Sequence, residues 1–327
     1  MLVIGGAGYI GSVMVSHLLN SQDSVVVLDK LLYNNDRSLE DFNSNRTFSF
    51  IQGDFCDNTI LDKAMEGVTD VVLLAALVGD PLCKKYPDEA KKINEDGSIN
   101  LIKRLNRYTL DKFIFLSTCS NYGLRDTDDP AAEDAKLNPK SLYAETKVNV
   151  ERYMINNARS INYTWTILRS ATAFGISPRM RFDLTVSEFT RELALGRELL
   201  VYDENTWRPY CHVDDISCAI LKVLEAPGKI VTGEIFNVGS NGENHTKRTV
   251  VDLITAYLKQ NNVKYEKGGR DPRNYKVNFD KISKILDFQT KRTVEDSVIE
   301  LVNEIKAGRF TDIESDINFY GNYSLNL

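Results

Sequence analysis

Short β-branched runs alternate with segments of helical periodicity along the first half of the chain. The apolar runs predict strands at Met1–Ile4, Ser24–Asp29, Phe48–Gln52, Asp70–Leu74, Phe113–Ser117 and Trp165–Leu168. Apolar positions that recur every three to four residues predict helices at Gly8–Leu19, Thr59–Met65, Lys85–Arg107 and Ser141–Asn157. Strands that alternate with helices favour βαβ units, whose right-handed crossovers build a doubly wound parallel sheet.

The sequence pattern changes after about residue 170, where the predicted loops contain proline and arginine. Further helices are predicted at Leu184–Leu195, Val213–Leu224, Lys247–Gln260 and Thr293–Ala307, separated by short strands. We therefore predict an α/β protein in which residues 1–170 form the doubly wound domain. Residues 171–327 mainly form a smaller, mixed α/β lobe, with some segments returning to the sheet. The polar stretch Thr311–Leu327 is either a frayed tail or an arm that docks on a neighbouring subunit.

Composition narrows the classes of ligand. The 327 residues carry 40 Lys+Arg against 46 Asp+Glu, a net charge of −6, so nucleic acid and anionic membranes are not expected partners. The longest apolar stretch, near Val71–Val78, is far short of the roughly 20 residues that span a bilayer. The five cysteines form no CxxC pair and the three histidines are scattered, which argues against a metal site or disulfide framework. A reducing, cytoplasmic setting is expected.

The first predicted strand runs into a glycine-rich turn and then a helix. Gly5, Gly8 and Gly11 are spaced three apart, with Tyr9 and Ile10 between the last two. Such glycines allow a tight turn, a close approach to a pyrophosphate and close packing of the helix on the sheet, and the helix N-terminus attracts the phosphates. The motif predicts a Rossmann-type dinucleotide site.

Two acids follow the next strands. Asp29 ends the second strand, where a carboxylate accepts hydrogen bonds from ribose hydroxyls and repels a 2′-phosphate, so NAD is favoured over NADP although Lys30 follows. Asp54 and Phe55 follow the third strand. Either the Asp54 side chain and a backbone N–H form hydrogen bonds with the edge of the adenine, or Asp54 is an ordinary turn residue.

Candidate catalytic residues stand at Tyr143 and Lys147, which lie four apart and so on one face of a helix. An ammonium beside a phenol lowers the pKa of the phenol, which then removes a proton from a sugar hydroxyl. The same spacing occurs on ordinary solvated helices. Ser117 and Thr118, however, end a predicted strand at the sheet edge where ligands bind, so Thr118 is placed to reach the same substrate oxygen.

These motifs, in this order, resemble the extended short-chain dehydrogenase/reductase family and, within it, the NAD-dependent nucleotide-sugar epimerases and dehydratases of the UDP-galactose 4-epimerase type. Further matches are Leu74-Ala75-Ala76 under the cofactor, Arg208–Asp215 (RPYCHVDD, compared with RDYIHVDD) and Phe236–Gly239 (FNVG). The resemblance implies that Tyr143 is the general base and acid, that Lys147 contacts the nicotinamide ribose and that Thr118 orients the substrate hydroxyl.

The resemblance also implies a nucleotide-diphosphate sugar as the substrate and a homodimer through helices Lys85–Arg107 and Ser141–Asn157. Arg208 would contact the diphosphate, with Arg270 or Arg273 assisting. Other candidate substrate contacts are Cys119, Ser120, Asn121, Thr172, Arg179 and Arg181. Arg179 and Arg181 fit a distinct nucleotide, a charged sugar or a plain surface ion pair.

Two departures from the family pattern narrow the chemistry. Dehydratases of this family place Asp-Glu where Cys119 and Ser120 stand here, and the decarboxylases place Glu at the second position. Without those acids, elimination and decarboxylation are not favoured. Thr172 stands where epimerases often have Asn, and Cys119 lines the site rather than acting as a nucleophile, because no histidine lies nearby.

We therefore predict an NAD-dependent nucleotide-sugar epimerase that oxidises the sugar transiently at C4 with Tyr143 as the base. A nucleotide-sugar 4-dehydrogenase or 4-ketoreductase of the same family is the alternative, since the first half-reaction is shared. A 4,6-dehydratase and a non-catalytic NAD-binding protein are less favoured, the latter because Tyr143 and Lys147 are both present.

Overall fold

A computed structural model describes residues 1–21, 23–125, 129–269, 271 and 273–325. The strands are β1 (Leu2–Ile4), β2 (Val25–Asp29), β3 (Phe48–Gln52), β4 (Asp70–Leu73), β5 (Lys112–Thr118), β6 (Thr164–Ser170), β7 (Thr172–Phe174), β8 (Leu199–Tyr202), β9 (Trp207–His212), β10 (Glu234–Val238), β11 (Asn244–Thr246) and β12 (Val263–Glu266). The helices are α1 (Tyr9–Asn20), α2 (Asn58–Ala64), α3 (Asp80–Lys85), α4 (Pro87–Lys91), α5 (Ser98–Leu105), α6 (Leu142–Asn156), α7 (Thr185–Ala194), α8 (Val213–Glu225), α9 (Gly228–Val231), α10 (Lys247–Leu258), α11 (Asp280–Leu286) and α12 (Val294–Lys306).

A seven-stranded parallel sheet organises the first half of the chain. Its order is β3-β2-β1-β4-β5-β6-β10, and β1 is an interior strand, with Val3 paired to Val27 of β2 on one side and to Val72 of β4 on the other. The order reverses between β1 and β4, which opens a crevice at the carboxyl ends of these strands. The predicted Rossmann-type, doubly wound fold is confirmed.

Helices cover both faces of this sheet, and each face has its own apolar core. One core joins α1 and α8 to the sheet through residues such as Met14 and Ile220. The opposite core joins α5 and α6 to it through residues such as Leu101 and Met154. Strands buried on both faces need the continuous apolar runs that the sequence shows.

The smaller lobe is built on two short sheets. One has the order β11-β9-β7 and the other pairs β12 with β8. Helices α7, α10 and α12 pack together beside them through an apolar cluster that includes Val186, Val251 and Val298. β10 returns to the main sheet, where it pairs with β6.

The helix expected over Lys85–Arg107 is present but interrupted near its start. The structure has α3, then α4, a π-helical segment at Lys92–Gly97, and α5. Tyr86 breaks the run with φ −128° and ψ 65°, because the residue before a proline is disfavoured in the helical region, and Pro87 then begins α4.

Residues 313–320 pack against the body of their own chain, so the reading as a frayed tail is wrong, whereas docking on a neighbouring subunit stays a prediction. Ile313, Phe319 and Tyr320 are buried in a cluster with Phe182 and Leu301. Within the described ranges, no helix is long and apolar enough to cross a membrane.

Candidate active site

A cavity of about 580 Å³ opens at the carboxyl edge of the parallel sheet. Its walls include every predicted cofactor residue: Gly5, Gly8, Tyr9, Ile10, Gly11, Asp29, Asp54, Phe55, Leu74, Ala75, Ala76, Ser117, Tyr143 and Lys147. Of the predicted substrate residues, it is also lined by Thr118, Ser120, Thr172, Arg179, Arg181, Arg208 and Arg273. The fold thus brings the predicted cofactor set and most of the predicted substrate set to one site. Arg270 lies outside the described residues.

The glycine turn forms one end of the cavity, and close packing explains two of its glycines. Gly5 has φ +88°, and a Cβ there would lie 2.6 Å from the backbone nitrogen of Ala75. A Cβ on Gly11 would lie 2.2 Å from the carbonyl oxygen of Gly5. Gly8 caps α1 without a side-chain acceptor, so the first-turn N–H groups stay available to a ligand. This cradle fits the pyrophosphate of a dinucleotide.

The two predicted acids have different surroundings. Asp29 accepts hydrogen bonds from the N–H groups of Ala7, at 3.1 Å, and Leu31, at 2.9 Å, so it also braces the glycine turn. Burial raises its pKa, and these two hydrogen bonds oppose the rise. Asp54 pairs with Lys30 at 3.1 Å. The cation that follows Asp29 is therefore already neutralised by another carboxylate, which fits NAD better than NADP.

Tyr143 and Lys147 face the cavity from the first turns of α6. The Lys147 Nζ donates to the carbonyl oxygen of Leu116 at 2.8 Å and lies 6.0 Å from the centre of the Tyr143 ring. Burial lowers the pKa of Lys147 to about 7, while the charge of Glu151 acts to raise it.

Burial also raises the pKa of Tyr143 above its ordinary value, with the Cys83 thiol adding to the rise. The expectation that Lys147 lowers the pKa of this phenol stays a prediction for the cofactor-bound site. Desolvation disfavours the phenolate more than any neighbouring cation favours it.

A buried ion pair lies behind the catalytic strand end. Glu151, one turn beyond Lys147 on α6, pairs with Arg169 of β6 at 2.7 Å, and both side chains are almost fully buried. Glu151 also accepts hydrogen bonds from Ser117 Oγ and from Asn121 Nδ2. These bonds tie α6 to the end of β5, so they fix the position of Thr118 relative to the α6 residues.

Arginines gather on the side of the cavity formed by the smaller lobe. Arg208 of β9 lies 2.8 Å from Asp271, and Arg273 holds both oxygens of that carboxylate. Burial works against ionisation of Asp271, yet the two guanidinium groups hold its pKa far below the ordinary value. Arg273 also lies 3.3 Å from Asp80 and 3.4 Å from Ser120 Oγ. A guanidinium group can donate two parallel hydrogen bonds, which suits the oxygens of a diphosphate.

Arg179 and Arg181 are buried in the cavity wall, so the surface ion-pair reading is wrong for both. Arg181 makes two bonds to Asp183, at 2.7 and 2.5 Å. The Arg179 guanidinium bonds two main-chain carbonyl oxygens, those of Asn318 and Gly321, each at 3.1 Å.

Two predicted substrate contacts are not in the cavity. The 3₁₀ turn Cys119–Tyr122 begins directly after Thr118, and it turns Cys119 and Asn121 into the core. The Cys119 thiol donates to the carbonyl oxygen of Arg169, and Asn121 bonds the buried Glu151. Burial raises the pKa of Cys119 well above its ordinary value, which makes it a poor nucleophile.

Sequence reasoning missed several polar residues of the cavity. They are Tyr33, Asp80, Asp183, Glu188, Lys247, Asn322 and Tyr323. Asp80 begins α3, directly after the loop that follows β4 at the same sheet edge as Thr118, and that position was a usable signal. Across the part of the chain that the structure describes, no cluster of His, Cys, Asp and Glu side chains could hold a metal ion.

Comparisons with known proteins agree with this geometry. The sequence matches the model of the NAD dependent epimerase/dehydratase family over residues 1–239. Low-salt glycan biosynthesis protein Agl12 of Haloferax volcanii is 29% identical over 304 residues, covering 91% of this chain and 96% of that protein. A UDP-glucose 4-epimerase of Pasteurella multocida is 29% identical over 289 residues, 81% of this chain and 83% of that protein.

A solved structure of the dTDP-glucose 4,6-dehydratase DesIV from Streptomyces venezuelae, with NAD and TYD bound, superposes with a TM-score of 0.85. It is 25% identical, and the match covers 94% of this chain and 97% of that one. The family match spans well over half of the chain, and the structural match covers 94% of it. The chain therefore belongs to the NAD dependent epimerase/dehydratase family, in the extended short-chain dehydrogenase/reductase fold.

Proposed function

We propose that this protein is an NAD-dependent nucleotide-sugar epimerase that oxidises the sugar transiently at C4. The observation that carries the proposal is the meeting of Thr118, Tyr143 and Lys147 with the glycine turn and Asp29 in one cavity. The same cavity holds the Arg208 and Arg273 guanidinium groups, which suit a nucleotide diphosphate. Relatives named as UDP-glucose 4-epimerases support this choice of substrate class.

Each catalytic group has a distinct task in this proposal. NAD, when bound, supplies a hydride acceptor next to the sugar and a positive ring that stabilises a nearby phenolate. Tyr143 takes the proton from the C4 hydroxyl and later returns one. Thr118 Oγ1 already accepts the N–H of Ser120 at 3.1 Å, so its own hydrogen is free to bond the substrate oxygen. Lys147, held by the Leu116 carbonyl, presents its remaining hydrogens to the nicotinamide ribose.

The alternatives differ in the fate of the keto sugar after oxidation. A 4-dehydrogenase or 4-ketoreductase shares the first half-reaction and releases or accepts the keto sugar. A dehydratase needs an acid beside the reacting carbons. Ser120 lines the cavity at a position where dehydratases of this family have an acid, and it offers a hydroxyl instead. The nearby carboxylates of Asp80 and Asp271 are already paired with Arg273. Homodimer formation and a cytoplasmic location stay predictions.

Product analysis tests the proposal. Purified protein is incubated with UDP-glucose, UDP-glucuronic acid and dTDP-glucose in turn, and the products are identified by NMR. We expect a C4-inverted sugar from at least one substrate, and we expect Tyr143→Phe to lower turnover by about a hundredfold or more while NAD stays bound. Tyr153→Phe is the matched control, since Tyr153 lies on the same helix but outside the cavity wall.

Other products would redirect the assignment. A free keto sugar with bound NADH favours the dehydrogenase, and a dehydrated keto sugar favours the dehydratase. Unchanged turnover in Tyr143→Phe would contradict the role of this tyrosine as the base.

A further inference from the structure

The end of the chain forms one wall of the active-site cavity. Residues 312–323, here named the C-terminal strap, cross from the smaller lobe to the loop that follows β4. The N–H of Asn322 donates to Asp183 at 3.3 Å, and its Nδ2 donates to the carbonyl oxygen of Val78 at 3.0 Å. Phe182 donates its N–H to the carbonyl oxygen of Tyr320 at 2.8 Å. The strap is thus bonded to both sides of the crevice.

Three polar atoms beside the strap are buried without a hydrogen-bond partner among the described residues. They are Arg179 Nε, Asn322 Oδ1 and the Tyr33 hydroxyl, and all three residues line the cavity. Buried polar groups are nearly always paired in native proteins, so unpaired atoms around a cavity indicate the positions of ligand atoms.

Two of these three residues, Arg179 and Tyr33, lie at the cofactor half of the cavity. The Arg179 guanidinium lies 4.8 Å from the centre of the Tyr33 ring, and Tyr33 follows the β2 end that carries Asp29. Burial lowers the pKa of Arg179 to about 10, and Asp29 is among the groups near enough to raise it. Arg179 and Tyr33 therefore lie on the Asp29 side of the cavity, and Asn322 contacts the loop after β4 through Val78.

Arg37, outside the cavity wall, is one of the residues that fasten the strap; Arg191 and Arg197 also pair with it, through Glu314. Arg37 pairs with Asp312 at 2.9 Å and with Asp316 at 3.8 Å, and its guanidinium lies 3.9 Å from the centre of the Phe319 ring. Arg37 belongs to the 3₁₀ segment Asp36–Phe42 of the first domain. This contact joins the strap to the domain that carries the glycine turn.

We propose that the C-terminal strap is part of the dinucleotide site and keeps NAD bound between turnovers. Arg179 Nε donates to an oxygen of the dinucleotide, Asn322 Oδ1 accepts a hydrogen from it, and Arg37 holds the strap closed. The inference rests on the proposed function for the choice of NAD as the ligand.

Cofactor exchange tests this inference without any sugar nucleotide. Protein loaded with NAD is mixed with excess radiolabelled NAD, and the uptake of label is followed in the original chain, in Arg37→Ala and in Asn322→Ala. Arg104→Ala is the matched control, because Arg104 forms a two-pronged surface pair with Asp62 away from the cavity. Hydrogen exchange of residues 312–323 reports whether the strap has opened.

We expect exchange of NAD to be about tenfold faster in Arg37→Ala, with faster hydrogen exchange in the strap, and unchanged in Arg104→Ala. Asn322→Ala should also speed NAD exchange, through loss of a ligand contact. An opened strap with unchanged NAD exchange would overturn the proposal, and so would a strap that stays protected in Arg37→Ala. If either of these two results is found while epimerisation is normal, only the strap proposal is refuted. If the protein binds no NAD at all, the proposed function is refuted as well.

Discussion

Removing either partner of the Glu151–Arg169 pair should destabilise the protein more than removing both. Glu151 accepts three bonds from the Arg169 guanidinium and one each from Ser117 and Asn121. In Glu151→Met the Arg169 cation stays buried, with the Tyr122 hydroxyl and a carbonyl oxygen as its remaining partners. An uncompensated buried charge of this kind costs about 3–5 kcal/mol of the free energy of unfolding.

The double variant, Glu151→Met with Arg169→Met, removes both charges. Its cost should then be about 1–3 kcal/mol, which is the usual effect of leaving buried hydrogen-bonding groups such as Ser117 and Asn121 unpaired. Urea unfolding at pH 7 of the original chain, both single variants and the double variant completes a double-mutant cycle. A double variant whose cost equals the sum of the two single costs would refute the reasoning, because it would show that the charges are not coupled.

Three further changes probe the cofactor half of the site. The pKa of Lys147 falls from 10.5 to about 7 on burial, so the unfolded chain binds more protons between these values and stability rises with pH there. Lys147→Met should therefore raise the thermal unfolding temperature more at pH 6 than at pH 9 in protein without cofactor, and an equal change at both pH values would contradict this. Gly11→Ala should cost about 1–3 kcal/mol in urea unfolding because its Cβ meets the Gly5 carbonyl, whereas Gly242→Ala, whose Cβ would lie in ordinary contact 3.8 Å from Ser240 Oγ, should change little. In binding titrations, Asp29→Asn should lower the ratio of the NADP dissociation constant to the NAD dissociation constant by about tenfold, which is the usual effect of losing a charged hydrogen bond. An unchanged ratio would count against the role of Asp29.

Local pattern was sufficient for most of the parallel sheet. Its strands are buried on both faces, so runs such as Phe113–Ser117 are recognisable without knowledge of the rest of the fold. β10 is the exception, because only three of its five residues belong to a recognised pattern, the FNVG motif, and that motif does not by itself predict a sheet strand. The break at Tyr86 was also readable, since Pro87 directly follows it.

The site residues also divide into those with a local sequence signal and those without one. The glycine turn, Asp29, Tyr143 and Lys147 carry local signals because each is tied to a strand end or to a helix spacing. The inward orientation of Cys119 depends on the 3₁₀ turn that starts there, which alternation along β5 does not predict. The position of the strap cannot be predicted from local sequence patterns, because Asn322 bonds Val78, which lies 244 residues away along the chain.

A nucleotide sugar deuterated at C4 tests the central claim most directly. In the proposed reaction the hydride that leaves C4 returns to the same carbon on the opposite face, with Tyr143 moving the hydroxyl proton. We predict a C4-inverted product that keeps its deuterium at C4, and about a hundredfold less of it from Tyr143→Phe. An inverted product that has lost its deuterium, or inversion at the same rate in Tyr143→Phe, would contradict the account.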